Sequence, residues 1–140
     1  MSSATDPDRA GPTAGLSRIG QIAVTARDLD RAVAFYRVVL RLPFLFRVPN
    51  LAFFVCAGTR LMLGEPEGEG EGGAGHASIL YFDVADLPAT YDALRARGVT
   101  FKDAPHLIAR MPDHELWRAF FADSEGNTLA LMCEVRPAAG

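Results

Sequence analysis

Asp123-Ser-Glu-Gly-Asn127 is the stretch that decides how the rest of this chain is arranged. Asp, Ser, Gly and Asn are residues that favour a chain reversal, and Gly126 can adopt the positive φ that such a turn often needs. The residues that follow, Thr128–Glu134, alternate in character from one position to the next. A period of two is typical of a β-strand with one packed face and one face that lines a semi-polar space. The sequence therefore predicts a final strand that follows a tight turn.

The composition describes one domain and limits its partners. The chain has 140 residues, of which 49% are hydrophobic and 22% are charged, as in a soluble globular domain. A net charge of −3 gives no support to nucleic-acid binding. The longest nearly uninterrupted apolar run, Leu51 to Ala57, is far too short for a membrane span. Residues 1–16 lack an apolar core, so we interpret them as a disordered tail and not as a secretory signal.

The two cysteines indicate the compartment. Cys56 and Cys133 are far apart in sequence and match no zinc or redox spacing. We interpret them as buried thiols of a protein in a reducing cytoplasm.

The first half of the chain reads as a strand, a helix and three strands. Alternation from Ile19 to Thr25 predicts a strand, and Asp28 is suited to cap the helix that follows. Apolar residues from Leu29 to Leu40 recur at offsets of a helical stripe, and Pro43 lies beyond the helix end. Three short strands are predicted next, at Phe44–Val48, Leu51–Ala57 and Arg60–Leu63.

The second half repeats this order after a linker rich in Gly and Glu, residues 65–76. Asp86 and the helix after it follow Asp28 and its helix by 58 residues, which indicates two copies of one unit. The remaining predicted strands are Ala77–Val84, Val99–Lys102, Glu115–Phe121 and Thr128–Glu134. Residues 103–113 are either an irregular strand or a long loop.

These elements predict an α+β fold with two tandem βαβββ modules, residues 17–64 and 77–135, and a short tail at 136–140. One helix can cover only one face of a four-stranded sheet. The two modules would therefore form a curved mixed sheet whose uncovered faces surround a shared cavity.

Two segments carry a resemblance to a known family. Asp28-Leu-Asp-Arg-Ala-Val-Ala-Phe-Tyr36, followed by Val39-Leu40, and the Asp123–Asn127 turn resemble the vicinal oxygen chelate superfamily. This is the fold of glyoxalases, bleomycin-resistance proteins and extradiol dioxygenases, and the resemblance spans about residues 17–135. Arg41 stands where the family usually has Gly, and Ser124 where it usually has Pro. Because members are often homodimers, the resemblance also implies that this chain can form a dimer.

The resemblance further implies where a metal would bind in the metal-dependent members. Their ligands, usually His, Glu or Gln, correspond to Gln21, Met62, Ile79 and Ala130 here. One amide, one thioether and two aliphatic groups do not suit a divalent ion, and a register shift of one residue supplies no better donors. We therefore expect no metal and no other cofactor.

The same positions identify the face of each strand that would line the pocket. The predicted ligand-binding residues share this face and are Gln21, Arg60, Met62, Ile79, Tyr81, Arg118, Phe120 and Ala130. For the strand before the Asp123 turn an alternative stays open, since a β-bulge would direct Glu115 and Trp117 to the ligand instead. Arg47 is a further candidate for gripping an anionic or carbonyl group, although any single arginine can equally be a solvated strand-edge residue.

Three residues are candidate catalytic groups. His106 and His114 could act as acid and base, because imidazole titrates near neutral pH. The alternative is that they are a turn residue and an exposed residue at a strand start. Asp83 lies on an otherwise apolar strand and would need a partner, most simply Arg60, Arg110 or Arg118, unless it only caps a strand end.

Two functions follow from these observations. The first is a metal-independent binding or sequestering protein for an apolar or aromatic ligand that bears a carbonyl group. The second is a metal-free isomerase, epimerase, cyclase or lyase that moves a proton next to a carbonyl, with His106, His114 or Asp83 as acid or base. In both cases the partner is a small molecule, and neither nucleic acid nor a membrane is involved.

Overall fold

A computed structural model describes residues 14–66 and 78–137 of the chain. Most of the predicted N-terminal tail, of the linker at 65–76 and of the C-terminal tail therefore lies outside the described residues. The predicted start of the strand at Ala77 lies outside them as well.

The first module forms a four-stranded mixed sheet with one helix. Its strands are β1 (Gln21–Thr25), β2 (Phe44–Val48), β3 (Leu51–Cys56) and β4 (Thr59–Gly64), in the order β1-β4-β3-β2. The helix lies between β1 and β2, with α1 at Leu29–Ala34 and a π-helical continuation at Phe35–Val39. β1 and β4 are parallel, and the other pairs are antiparallel.

The second module has the same plan with one strand position divided in two. Its elements are β5 (Leu80–Asp83), α2 (Leu87–Ala96), β6 (Thr100–Phe101), β7 (His106–Arg110), β8 (Glu115–Ala122) and β9 (Thr128–Val135). The sheet order is β5-β9-β8-β6, and β7 also pairs with β8. β6 and β7 thus share one edge of β8, so the ambiguous residues 103–113 contain a strand, irregular between Leu107 and Ala109.

The sheet orders show that the two halves are copies of one unit. In each module the first strand lies parallel to the last, and the rest of the sheet is antiparallel. This is the α+β fold of two βαβββ modules that the sequence predicts. The described residues form two mixed sheets, of four and five strands, and no strand pair joins the sheets within them.

Helix boundaries follow local side-chain chemistry. The Asp28 and Asp86 carboxylates accept hydrogen bonds from the backbone N–H groups of Arg31 and Ala89, at 3.1 and 3.0 Å, and so cap α1 and α2. The first helix differs from the prediction of one regular helix, because its second half widens into π-helical turns in which Leu40 N–H donates to Phe35 C=O.

Each helix covers one face of its own sheet. The buried side chains between helices and sheets include Tyr36, Phe54, Leu63, Leu87, Phe121 and Leu129, each at most 2% exposed. The opposite parity is largely exposed, as at Gln21, Arg60, Tyr81 and Asp83. We call this uncovered side of each sheet, which carries Gln21, Arg60 and Met62 in the first module and Tyr81, Arg118 and Phe120 in the second, the open face.

The Asp123 turn joins the two modules. The Asp123 carboxylate is buried and accepts hydrogen bonds from the backbone N–H groups of Glu125 and Asn127 in its own turn, both at 2.8 Å. Its second oxygen accepts the Tyr36 hydroxyl from the first helix at 2.6 Å. The Asn127 side chain donates to Thr25 C=O at the end of β1, at 2.9 Å. Burial and the neighbouring Asp123 charge raise the pKa of Tyr36 far above its ordinary value, so the phenol stays a donor.

Glu125 in the same turn forms a second link between the modules. Its side chain is 1% exposed and forms a two-pronged ion pair with Arg31, with N–O distances of 2.7 and 3.1 Å. It also accepts the Asp28 backbone N–H at 2.8 Å. Burial opposes ionisation of Glu125, but the hydrogen bonds from Arg31, Asp28 and Ser124 outweigh it and lower its pKa to about 2.

Candidate functional site

The open face of the first sheet carries a polar cluster at one end. Gln21 and Arg60 are directly opposite each other on β1 and β4, and Ala23 and Met62 form the next pair. Arg60 Nε donates to Gln21 Oε1 at 2.7 Å, and the Gln21 amide nitrogen lies 3.8 Å from Met62 Sδ. Gln21 therefore contacts two other predicted ligand-binding residues, Arg60 and Met62.

Aromatic rings continue this open face. Phe53 lies opposite Met62 and stacks on Phe46 with ring centroids 4.6 Å apart, and the Arg60 guanidinium lies 5.7 Å from the Phe53 centroid. Phe44 and Phe54 have the opposite parity, and their rings pack together on the helix side at 5.4 Å. Alternation along β3 separates Phe53 from Phe54, whereas Phe44 and Phe46 on β2 lie on opposite faces because the strand register shifts between them, which the sequence pattern does not indicate.

A cleft of about 520 Å³ lies at the polar end of this face. Its lining includes Gln21 and Arg60, a second arginine, Arg18, and the apolar Leu45 and Val55. It therefore combines two guanidinium groups with apolar walls.

The open face of the second sheet is organised in two rows across its strands. Tyr81, Ala130 and Phe120 lie side by side on β5, β9 and β8. The next row continues across four strands and consists of Asp83, Met132, Arg118 and His106. Register therefore brings five predicted site residues, Tyr81, Asp83, His106, Arg118 and Phe120, onto one surface, whereas the sixth, Ala130, is 0% exposed because its small side chain lies beneath its larger neighbours.

Arg118 occupies the centre of this surface. Its guanidinium lies over the Phe120 ring, 3.9 Å from the centroid, and the Phe120 ring meets Tyr81 edge to face at 6.2 Å. Its Nη2 lies 3.5 Å from His106 Nε2. Arg118 Nε is buried and has no hydrogen-bond partner among the described residues. A buried donor without an acceptor is costly, so this guanidinium retains unused capacity for an oxygen atom.

His106 is held by its other ring nitrogen. Nδ1 lies 3.0 Å from Ala104 C=O and 3.7 Å from Asp103 Oδ2. Since a carbonyl oxygen only accepts, we assign the neutral ring a proton on Nδ1, which leaves the Nε2 lone pair towards Arg118. Asp103 is itself fixed, because its Oδ1 accepts the Phe120 backbone N–H at 2.8 Å. Sequence analysis did not identify Asp103, which lay in the segment of undecided structure.

The other two catalytic candidates have different surroundings. Asp83 is exposed, and within residues 14–66 and 78–137 it forms no hydrogen bond or ion pair, so the expected partner among Arg60, Arg110 and Arg118 is not found. Water can solvate an exposed carboxylate, which removes the need for a partner.

His114 lies away from these rows. It is four residues before Arg118, about 13 Å along an extended chain. Its Nδ1 is 2.7 Å from Asp113 Oδ1, and its Nε2 is 4.0 Å from Glu134 Oε2. Hydrogen bonds from His114 and then Arg136 lower the pKa of Asp113. The His114 side chain is 16% exposed, so it is more buried than the exposed residue that one alternative predicted.

The pairing of the strands and the contacts of the side chains show where the remaining candidate ligand-binding residues lie. Glu115 and Trp117 pair with Val135 and Cys133 on the helix side of the second sheet, so the alternative that placed them at the ligand is not observed. Arg47 pairs with Asp30 of α1 at 2.7 Å, which takes it away from the open face. Ile79 precedes β5 and is 39% exposed.

The four positions that would hold a metal do not form a donor set. The Gln21 oxygen already accepts from the Arg60 guanidinium, whose positive charge would repel a cation, and Ile79 and Ala130 carry no donor. In the part of the chain that the structure describes, no group of three or more His, Cys, Asp or Glu side chains could hold an ion. The residues present therefore do not fit the metal that this fold binds in its metal-dependent members.

Within residues 14–66 and 78–137, none of the helices has the length and apolar character needed to cross a membrane.

The fold and the repeated open faces agree with a comparison against protein families. The model of the Glyoxalase/Bleomycin resistance protein/Dioxygenase superfamily matches residues 18–131. The chain belongs to this superfamily.

Similar proteins include characterised and uncharacterised members. The uncharacterized protein YraH of Bacillus subtilis (strain 168) is 29% identical over 126 residues, which are 79% of this chain and 94% of YraH. The crystal structure of lactoylglutathione lyase from Agrobacterium tumefaciens is 25% identical with a TM-score of 0.67 and covers 85% of this chain and 95% of its own. TnmS3, an antibiotic-binding protein from Streptomyces sp. CB03234, is 22% identical with a TM-score of 0.67, over 86% of this chain and 98% of its own.

Proposed function

We propose that this chain is a cytoplasmic binding protein that sequesters an apolar or aromatic small molecule bearing a carbonyl group, without a metal. The observation that carries the proposal is the second open face, where Tyr81 and Phe120 form an aromatic wall beside the incompletely paired guanidinium of Arg118. A flat apolar ligand can stack on such a wall, and its carbonyl oxygen can accept from the guanidinium. Ile79, which is 39% exposed, suits the same ligand because it offers apolar contact and no polar group that would be left unpaired, whereas Ala130 is fully buried beneath this face.

The first open face is the second half of the proposed site. Arg60 and Gln21 are fixed by their mutual hydrogen bond, and the Phe46–Phe53 stack and Met62 provide apolar surface next to them. The likeness to an antibiotic-binding protein supports the fold of a binder and leaves the ligand of this chain to experiment.

The experiment is native mass spectrometry of the purified protein, together with elemental analysis for metals. We expect an organic molecule to accompany the protein and no stoichiometric metal. An Arg118→Ala variant should lose that molecule or bind it about tenfold or more weakly, the order expected for a buried hydrogen bond to a charged group. Arg47→Ala is the matched control, because it also removes an arginine but acts on the helix side. Stoichiometric Zn, Ni, Fe, Mn or Co at Gln21 and its counterparts would contradict the proposal.

A second candidate function is a metal-free isomerase, epimerase, cyclase or lyase. It is favoured by one observation, the order Asp103, His106 and Arg118 across the open face, with His106 between a carboxylate and a guanidinium. In such an enzyme His106 Nε2 would remove a proton next to a carbonyl, and Arg118 would stabilise the negative charge that develops on the oxygen. Asp83, in the same row, would be the second acid–base group.

Proton exchange separates the two functions. Incubation of the isolated ligand with the protein in D₂O should incorporate deuterium next to its carbonyl if the chain is an enzyme, and His106→Gln should abolish the incorporation. If deuterium enters the ligand no faster with the protein than without it, the enzyme function is excluded and the binding function is retained.

We also propose a homodimer. Within the described residues β1 pairs only with β4 and β5 only with β9, so each of these two strands has a free edge that a second copy could use. Sedimentation equilibrium measures the mass directly, and a monomer at micromolar concentration would contradict this proposal.

A further inference from the structure

A second cleft lies on the helix side of the second module, away from both open faces. Its volume is about 550 Å³, which is within the range of small-molecule sites. Its floor consists of two rows of the sheet, Glu115 beside Val135 and Trp117 beside Cys133. The first turns of α2 form its wall.

The walls of this cleft are apolar and aromatic. Leu87, Pro88 and Tyr91 of α2 face Trp117 and Val135 of the sheet. Val135 is 46% exposed, so part of this apolar surface is in contact with solvent. An aromatic or branched aliphatic ligand would remove this surface from water.

All charged groups in the lining of the cleft are carboxylates. They belong to Asp86, Asp92 and Glu115, and no lysine or arginine lines the cleft. The nearest described counter-charges to this set are Arg110, which lies 3.7 Å from Glu115 and is 73% exposed, and Arg95 of α2, whose guanidinium lies 5.3 Å from the Tyr91 ring centroid. Three carboxylates against these two guanidinium groups, neither of which is in the lining, leave the cleft with a net negative charge.

Hydrogen bonds fix the acidic groups without neutralising them. Glu115 Oε1 accepts the Trp117 indole N–H at 3.1 Å, which orients both side chains. Asp86 Oδ1 accepts the Ala89 backbone N–H as the helix cap, and this carboxylate offsets the positive end of the α2 dipole. The cleft is therefore complementary to a molecule with an apolar body and one positive charge.

We propose that the cleft between α2 and the Glu115 end of the second sheet binds a small apolar or aromatic amine in its protonated form. The apolar body packs against Tyr91, Trp117 and Val135, and the ammonium group lies among the carboxylates of Asp86, Asp92 and Glu115. This site shares no residue with the open faces, so it is independent of the function proposed above.

Trp117 makes the test direct, because it is the single tryptophan of the chain. Its emission is titrated with decylamine, decanol and decanoate below their micellar concentrations, in the full-length protein. We expect decylamine to bind about tenfold more tightly than decanoate. The carboxylates attract the ammonium group and repel the decanoate carboxylate, and the difference in binding free energy is about that of two surface ion pairs.

Two variants test whether the ligands bind in this cleft. Glu115→Gln keeps the acceptor for the Trp117 indole but removes the charge, and should weaken decylamine binding about fivefold. Val135→Phe fills the cleft from an exposed position and should weaken all three ligands. Asp30→Asn, on the ion pair with Arg47, is the charge-matched control and should change nothing. Arg60→Ala, on the first open face, should also leave decylamine binding unchanged.

Three results would overturn the proposal. Decanoate binding as tightly as decylamine would show that the carboxylates do not select charge. No emission change with any of the three ligands would exclude binding in the cleft. A Trp117 emission that shifts with protein concentration alone, and no longer shifts in Val135→Phe, would show that a second copy of the chain covers the cleft.

Discussion

A few buried polar residues determine how the two modules meet. The Asp123 carboxylate lies inside the second module, yet one of its hydrogen bonds comes from Tyr36 in the first. The Glu125–Arg31 ion pair joins the same two segments. These contacts are specific in a way that apolar packing is not, since a buried carboxylate must be satisfied at defined positions.

Replacement of Tyr36 by Phe tests the first of these links. It removes only the hydroxyl, so the ring should stay packed while one hydrogen bond to the buried Asp123 carboxylate is lost. We expect the free energy of unfolding to fall by about 1.5–3 kcal/mol, as for hydrogen bonds to charged groups. Urea denaturation measures it, and Tyr91→Phe on α2 is the control. Equal stability of Tyr36→Phe and the native chain would show that the bond is not formed.

The lowered pKa of Glu125 predicts that the free energy of unfolding decreases in acid. Its pKa of about 2 in the folded protein lies below its value in the unfolded chain, so the unfolded state binds the proton first as the pH falls. The contribution of Glu125 is complete above about pH 5 and is lost progressively towards pH 2. It amounts to less than about 3 kcal/mol, because the Arg31 guanidinium is 54% exposed and water screens the ion pair. Urea denaturation at several pH values should show a shallower acid dependence in Glu125→Gln than in the native chain, and parallel curves would refute this role.

At the level of helices and strands, the sequence predicts correctly those features that depend on residues close together in the chain. Asp28 and Asp86 cap the two helices as predicted, because a capping carboxylate acts on backbone groups only three residues away. The π-helical widening at Phe35–Val39 was not predicted, since it places Tyr36 in the core next to Asp123, a residue 87 positions away. Strand β7 was ambiguous because Pro105 and Pro112 on either side of it are equally compatible with a loop.

The end of the first helix offers a stabilising substitution. Arg41 has φ 61°, in the left-handed region where a Cβ is unfavourable and glycine is not. We expect Arg41→Gly to raise the free energy of unfolding by about 0.5–1 kcal/mol, after the greater freedom of glycine in the unfolded chain is counted. Arg41→Ala keeps the Cβ and should stay within about 0.5 kcal/mol of the native protein. Equal effects of the two substitutions in urea denaturation would contradict this explanation.

The whole molecule shows why the fold was more predictable than the site. The repeat and its period-two strands define the modules and, through the parity of Tyr81, Ala130 and Phe120, the residues of the open face. Which of those residues contact one another depends on register across strands. The His106–Arg118 contact, for example, requires β7 to pair with β8 at one offset. No local pattern in the sequence fixes that offset, so neither the partners of His106 nor the exposed position of Asp83 without a partner among the described residues could be derived from it.

The division of the turn contacts between the modules has a consequence for the isolated halves. Expressed alone, the second repeat would lose the Tyr36 hydroxyl that donates to Asp123 and the Arg31 guanidinium that pairs with Glu125. Asp123 would keep the donors of its own turn, but the contacts that tie this turn to the first module would be gone. The gene therefore cannot be cut at the linker without cost, and we expect the intact polypeptide to melt in one cooperative calorimetric transition and not in two.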